Sequence, residues 1–527
     1  VTHSTTTSAL RVEDLSFTYE AAAHPATGPE PQDGASSPAQ ALSGVDLDLP
    51  RGSLTLVTGA SGCGKSTLLK TLNGLVPHLW GGDLSGRVEV QGALATALSP
   101  AELGRLSGSV FQNPRTQFFT TTVLQELAFA SENAGEPRPV IAEQVSRAAT
   151  LFGITGLLGH RLDALSGGQL QRVACAVATT GNGNLLLLDE PSSNLSPEAI
   201  DDVARVLGDL KGAGWSVVVA EHRLHFLAGL ADRVVVMDGG RVTRDCTGAE
   251  FFATPEDQRL AAGLRSLRRP GGTRRLRLLP ADPAAPPLDH GISVRGLRFS
   301  YGRGGTPVLE LPALDLPAGE VTVLTGDNGV GKSTLARVLV GLAGAARGSR
   351  ITIDGKAMGA RARTTCSALV MQDVNRQLFA ASARQEVALG SVECGEADVD
   401  ELLESFGLSE MADRHPMSLS GGQKQRLVVA AAVASDASFY VFDEPTSGVD
   451  HRHLRAIAAR LRTLASQGST VLVISHDPEL IEAVADRECH LQSWTPELGN
   501  RARTWQLAPP TDPEPSGSPR PSHRTQG

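Results

Sequence analysis

Gly59-Ala-Ser-Gly-Cys-Gly-Lys-Ser-Thr67 decides how this chain folds. It reads G-x-x-x-x-G-K-[ST], the loop that cradles phosphate groups. Leu54-Thr-Leu-Val-Thr58 before it has the make-up of a strand, and Leu68-Leu-Lys-Thr-Leu72 after it opens a helix. Gly59, Gly62 and Gly64 let successive backbone N–H groups turn inward, with Ser61 and Cys63 at the free positions between them. The start of the helix adds its partial positive charge. Lys65 is placed to reach the β- and γ-phosphates of a nucleotide. Ser66, followed by Thr67, is placed to hold Mg²⁺.

The same loop occurs again. Gly326-Asp-Asn-Gly-Val-Gly-Lys-Ser-Thr334 follows the strand candidate Val321-Thr-Val-Leu-Thr325. Gly326, Asn328, Gly329, Val330, Gly331, Lys332, Ser333 and Thr334 take the corresponding parts. A single copy could be an ordinary glycine turn; two copies in strand–loop–helix context argue for nucleotide binding.

Outward from the two loops the halves run in the same order. Leu165-Ser-Gly-Gly-Gln-Leu-Gln-Arg172 returns as Leu419-Ser-Gly-Gly-Gln-Lys-Gln-Arg426. Leu185-Leu-Leu-Leu-Asp-Glu-Pro191 returns as Phe439-Tyr-Val-Phe-Asp-Glu-Pro445, and a strand ending at His222 returns as one ending at His476. The spacing between equivalents is constant late in each half. It is wider at the phosphate loops, because the first half carries extra residues before Gln112. The chain is an internal duplication.

Bulk properties exclude several classes. The 527 residues suffice for several domains, and the net charge of −9 argues against a general nucleic-acid binder. Six scattered cysteines without a C-x-x-C pair argue against zinc and a disulfide framework. No apolar run approaches the ~18 residues of a membrane helix, and no secretory signal is expected. The expected organisation is a frayed start over 1–8, a first domain over 9–264 with a mobile loop at 20–40, a linker over 265–290, a second domain over 291–497, and a disordered tail over 498–527. The arginines from Arg265 to Arg277 are read as solvated linker, or else as attracted to an anionic membrane surface.

With Leu-Ser-Gly-Gly-Gln in both halves, the chain resembles two fused ATP-binding-cassette ATPase domains. The resemblance implies an α/β fold: two P-loop domains in tandem, each with a mainly parallel sheet core, an antiparallel β subdomain and a helical subdomain. Within that superfamily it resembles the tandem ATPase of energy-coupling-factor vitamin and metal importers. The carriers are Phe111-Gln-Asn-Pro-Arg-Thr-Gln-Phe-Phe119, Glu126-Leu-Ala-Phe129, Asn73-Gly-Leu-Val-Pro-His78 and Glu221-His-Arg-Leu224, with an echo in Met371-Gln-Asp-Val-Asn-Arg-Gln-Leu-Phe379.

Hydrolysis of ATP needs charge neutralised on the γ-phosphate and one water held in line. Asp189 and Asp443, at strand ends, suit Mg²⁺, as do Ser66 and Ser333. Glu190 and Glu444 suit a base that polarises the water; a helix N-cap is the plain alternative for each acid. The resemblance assigns Gln112 and Gln372 to Mg²⁺ and the water, and His222 and His476 to the γ-phosphate. It places Tyr19 and Tyr301 on adenine, where simple packing is the alternative. It makes Ser166, Gly167, Gly168 and Gln169, with Ser420, Gly421, Gly422 and Gln423, signature loops that close over ATP held by the opposite half. The halves are then expected to pair head-to-tail.

The same resemblance implies ATP and Mg²⁺ as cofactors. Its implied partners are integral-membrane subunits (a coupling protein and a substrate-binding protein), with no nucleic acid and a place on the cytoplasmic face of the membrane. Arg115–Phe129 and Arg376–Leu389 are expected to dock the membrane partner, with Glu126 and Glu386 receiving its arginines; ordinary helix surface and core is the plain alternative. One departure stands out: Ser196 occupies the position that Asp450 fills in the second half. Three rivals remain. A ribosome-acting tandem cassette resembles this chain but carries a long charged helical linker. A DNA-damage cassette needs zinc-binding cysteine pairs. A fused sugar or peptide importer ATPase lacks the Gln-Phe-Phe context.

Overall fold

A computed structural model describes residues 8–20, 40–181, 183–193, 195–267, 282–302, 308–327, 329–390, 395–493 and 505–507. The expectations for the first seven residues, the loop over 21–39, most of the linker, Asn328 and nearly all of the tail lie outside the described residues; the described part of the tail, Trp505–Leu507, is not disordered but a strand paired antiparallel with Arg487–Ser493.

Each half holds a four-stranded antiparallel sheet and a six-stranded, mainly parallel one. In the first half Ser8–Tyr19 pairs antiparallel with Gln40–Pro50 and with Gly82–Val90. In the larger sheet Leu54–Gly59 runs parallel between Ser216–Ala220 and Arg233–Asp238. Leu185–Asp189 and Ser107–Val110 extend it in parallel, and Arg241–Thr247 closes the other edge antiparallel. The second half repeats this around Val321–Thr325, which runs between Thr470–Ile474 and Arg487–Ser493.

The central strands Leu54–Gly59 and Ser216–Ala220 are buried at every position and mostly apolar because both faces are covered. Leu186 and Leu188 pack into the core shared with the helices, while Leu185 and Leu187 face the core under the antiparallel sheet. Pro197–Gly212 covers one face with Ile200, Val203, Val206, Leu207 and Leu210, spaced as one helical stripe. Val123–Asn133, Arg138–Leu151 and Gly167–Ala178 form the helical subdomain. Four strand ends thus converge on one edge of the sheet, where a parallel α/β fold places its ligands. That edge carries the phosphate loop, Gln112, the two acids and the histidine.

Candidate functional site

The phosphate loop begins at Gly59, whose φ is +147°. A Cβ there would lie 2.1 Å from the carbonyl oxygen of Met237, so only glycine lets the two strands sit this close. Gly64 (φ +103°) and its counterpart Gly331 (φ +104°) then turn the chain into the helices Lys65–Leu72 and Lys332–Leu339. The Lys65 ammonium donates to the carbonyls of Gly59 and Ala60, each at 3.0 Å, inside the concavity of the loop. Lys332 does the same to Gly326 and Asp327. Cys63 is buried under the loop in the core beneath the antiparallel sheet, and Val330 is buried in the corresponding core of the second half.

Ser66 Oγ donates to Asp189 Oδ1 at 3.0 Å, and Ser333 is likewise bonded to Asp443. A hydroxyl and a carboxylate side by side at a phosphate loop are the donor set of a cation that also binds phosphate oxygens. Among the described residues no group of three or more His, Cys, Asp or Glu gathers as an all-protein metal centre. The residues therefore fit Mg²⁺ brought with a nucleotide.

The acid after each aspartate adopts an unusual backbone. Glu190 has φ +47° and Glu444 φ +53°, a left-handed conformation that a glutamate adopts only where its surroundings impose it. The peptide N–H groups of both donate to the neighbouring strand, to Ala220 and Ile474, each at 2.8 Å. Glu190 Oε2 accepts from Gln112 Nε2 at 2.7 Å and Ser193 Oγ at 3.1 Å, and its Oε1 lies 3.6 Å from His222 Nε2. Burial, then Asp189 and Glu221 beside it, push the Glu190 carboxyl up to about 8. Burial pushes Glu444 up to about 7, with Arg223 pulling the other way. Both carboxyls thus lie well above the ordinary carboxylate range. Burial, then Lys65, hold the His222 imidazole well below its ordinary value, and burial with Lys332 pushes His476 down to about 4. Both rings are neutral.

The two sites differ. Gln112 touches Glu190, whereas Gln372 is exposed and Glu444 accepts from Ser475 Oγ at 3.3 Å. Tyr19 and Tyr301 both meet the threonine after the loop, Thr67 at 3.1 Å and Thr334 at 2.9 Å, which places the rings beside the phosphate loops. Ser166 with Gln169, and Ser420 with Gln423, form reciprocal capping boxes at the starts of their helices. Asn328 lies outside the described residues.

The second half reaches into the first site. Asp450 Oδ2 accepts from the Ser61 N–H at 2.7 Å. A Cβ on Gly421 would lie 2.3 Å from Gln112 Oε1, and one on Gly448 would lie 2.7 Å from both Gln112 Nε2 and Glu190 Oε2. A Cβ on Gly422 would lie 3.5 Å from Ser61 Oγ, in ordinary contact. The head-to-tail pairing expected from the signature loops is present at the site of Lys65. Two buried polar atoms without a hydrogen-bond partner, Ser61 Oγ and His476 Nε2, belong to the loops around these sites and fit a phosphate ligand.

Two expectations fail. Glu126 is 2% exposed and accepts from the N–H groups of Phe119 (3.1 Å) and Thr120 (2.8 Å) and from Thr120 Oγ1 (2.7 Å). Glu386 does the same for Phe379 (2.9 Å) and Ala380 (2.7 Å). These glutamates are buried loop anchors, and a partner's arginines cannot reach them. The groups they present are Phe119 and Phe379, 76% and 81% exposed at equivalent positions. Arg265, read as the start of a solvated linker, is buried among residues of the second half. Sequence reasoning also missed Glu221 as a site residue. Its carboxylate accepts from the N–H groups of Ser192, His222 and Arg223 at 3.2, 2.8 and 3.0 Å and so holds the histidine loop against the acid loop.

Comparison with known proteins agrees with this geometry. The family described as ABC transporter matches residues 42–193 and 309–447. A Treponema denticola protein assigned as an ABC transporter ATP-binding protein is 37% identical over 451 residues, covering 85% of this chain and 91% of that protein. A Streptomyces avermitilis protein with the same assignment is 34% identical over 534 residues, covering 91% of each. Among solved structures, an RNase-L inhibitor superposes with a TM-score of 0.53 over 86% of this chain and 85% of its own, at 23% identity. That likeness shows the fold.

Proposed function

The chain belongs to the ABC transporter family of ATPases, and from that premise we propose that it is the Mg²⁺-dependent ATPase subunit of an energy-coupling-factor importer. The observation that carries the ATPase reading is the composite site, in which Asp450 of one half caps the Ser61 amide in the phosphate loop of the other. In this reading Ser66, Asp189 and Gln112 hold one Mg²⁺, and Ser333, Asp443 and Gln372 the other. Bound there, Mg²⁺ would neutralise charge on the phosphate oxygens. Lys65 and Lys332 bind the γ-phosphate. Glu190 and Glu444 would orient the water and take its proton, and His222 and His476 would contact the γ-phosphate. Closure of Gly421 and Gly448 over Gln112 and Glu190 excludes bulk water.

The importer reading rests on the Gln-Phe-Phe context and on Phe119 and Phe379. Exposed aromatics this large, repeated at equivalent positions of two halves, mark a docking surface for a partner. In this reading the partner supplies the membrane path; no helix among the described residues is long and apolar enough to cross a membrane. A ribosome-acting role finds support only in fold likeness. Two experiments test the reading. Lys65→Ala with Lys332→Ala abolishes turnover, and chelation abolishes it reversibly in the unaltered protein; persistent hydrolysis in either case refutes the ATPase assignment. Isolation of the tagged chain from membranes should bring down integral-membrane subunits. Sedimentation with ribosomes instead would replace the importer reading.

A further inference from the structure

Arg265 closes the first half, yet its side chain is 4% exposed and all three of its acceptors belong to the second half. The guanidinium donates to the Asp477 carboxylate, to Glu479 Oε1 at 3.1 Å and to the carbonyl of Val449 at 2.8 Å. The next N–H, of Ser266, adds a second bond to Glu479 Oε1 at 2.7 Å. A planar fork of fixed donors suits three acceptors at fixed angles; a lysine ammonium does not.

Two of the acceptors, Val449 and Asp477, lie on loops that serve a nucleotide site; Glu479 lies in the first turn of the helix Pro478–Val484. Val449 immediately precedes Asp450, whose Oδ2 meets the Ser61 N–H. Asp477 follows His476, accepts from Thr446 Oγ1 at 2.7 Å, and donates its own N–H to Ser475 Oγ, which in turn donates to Glu444 Oε2. Asp450 has its other oxygen committed at home, to the N–H and ring of His453 at 2.9 and 2.8 Å. The reach of Oδ2 into the opposite half therefore depends on where the main chain at Val449 is held. A buried ion pair adds little net stability over apolar packing of the same volume, so orientation is what this arginine contributes.

We propose that Arg265 is a positioning residue for hydrolysis: it holds the Val449–Asp450 loop so that Asp450 completes the site built on Lys65 and Glu190. The inference rests on the ATPase reading above and adds a residue from the segment between the two halves.

The test is steady-state ATPase of the full chain in a mutant cycle with Asp450→Ala. Arg265→Met alone would leave Asp477 buried and uncompensated, so it is paired with Asp477→Asn. Arg265→Lys is the second variant, keeping the charge and losing the fork. Both are expected to lower kcat about 3- to 10-fold, the scale of one lost positioning hydrogen bond, with the KM for ATP changed less than about twofold. In the Asp450→Ala background neither costs anything further. Unchanged kcat in Arg265→Lys, or losses that multiply with that of Asp450→Ala, would overturn the proposal. Failure of the underlying ATPase reading is separable, because it shows as turnover in Lys65→Ala with Lys332→Ala.

Discussion

The main-chain N–H of Ser61 and the carboxylate of Asp450 are 389 positions apart in sequence and 2.7 Å apart in space. Asp450 caps its own helix with Oδ1 and spans the two halves with Oδ2. Its counterpart Ser196 has one side-chain oxygen, which accepts from the Ala199 N–H at 3.4 Å as the cap of Pro197–Gly212. A carboxylate has enough acceptor sites for both tasks, and a neutral hydroxyl makes the weaker bond at each. The site of Lys65 and Glu190 is therefore the better completed one. A hydrogen bond to a charged group contributes about 1.5–3 kcal/mol, roughly 10- to 150-fold in rate if it acts only in the transition state. Glu190→Gln should lower ATPase more than Glu444→Gln, and Ser196→Asp should raise turnover or bring the two variants together. Equal losses with an inert Ser196→Asp would show the substitution to be neutral.

Gly448 offers a sharper probe of the same interface. Its φ is +67°, and a Cβ would lie 2.7 Å from Gln112 Nε2 and Glu190 Oε2. Alanine there costs about 1–2 kcal/mol in backbone strain and also pushes the loop off Glu190. Gly448→Ala should reduce kcat at least tenfold while the fold survives, as read by circular dichroism. Wild-type turnover would mean that the halves do not close this way during hydrolysis.

The phosphate loops, the acid pairs and the capped signature helices were legible in the sequence, because each is a contiguous motif whose backbone geometry dictates its residues. Gly59 and Gly64 are glycine for local reasons that a pattern can state. The strand Leu185–Asp189 was legible because burial on both faces makes its first four residues apolar, with an acid at its end. Arg265 was not, since its acceptors lie 184 to 214 positions away and its surroundings are arginine, proline and glycine. Glu126 looked like a surface charge beside aromatics. Its true role depends on a loop folding back so that two peptide N–H groups point at it, which no periodicity reports.

That correction changes what charge reversal would do. Glu126 and Glu386 each satisfy N–H donors at the base of the loop that carries Phe119 or Phe379. Glu126→Lys would leave those donors unpaired and add a buried cation, costing several kcal/mol and destabilising the helical subdomain. Phe119→Ser with Phe379→Ser should instead leave basal ATPase and the unfolding midpoint near wild type while weakening membrane-partner assembly. Thermal melts and co-purification read the two effects separately. Stable, partner-binding Glu126→Lys would contradict the anchoring role.

Acid response should report the Arg265–Asp477 pair. Burial alone would raise the Asp477 carboxyl; the charges of Arg265 and Arg223, with hydrogen bonds from Arg265 and Thr446, bring it below its ordinary value. A carboxyl depressed by folding contributes stability above the unfolded value of about 3.9, and that contribution is lost as pH falls through the folded value. In Arg265→Met only Arg223 remains as a facing cation, with hydrogen bonds from Thr446 Oγ1 and the Glu479 N–H. Burial then dominates, and the folded carboxyl moves above the unfolded one. The variant loses about 3–5 kcal/mol near neutral pH from the uncompensated charge. It recovers part of that loss as acid protonates the group. The gap in unfolding midpoint between wild type and Arg265→Met should thus be widest at about pH 7 and narrow towards about pH 5. Adding Asp477→Asn to the variant should make its gap to wild type independent of pH over that range. Denaturant titrations across the series decide it: a gap that stays constant or widens on acidification would show that Asp477 is not held ionised by Arg265.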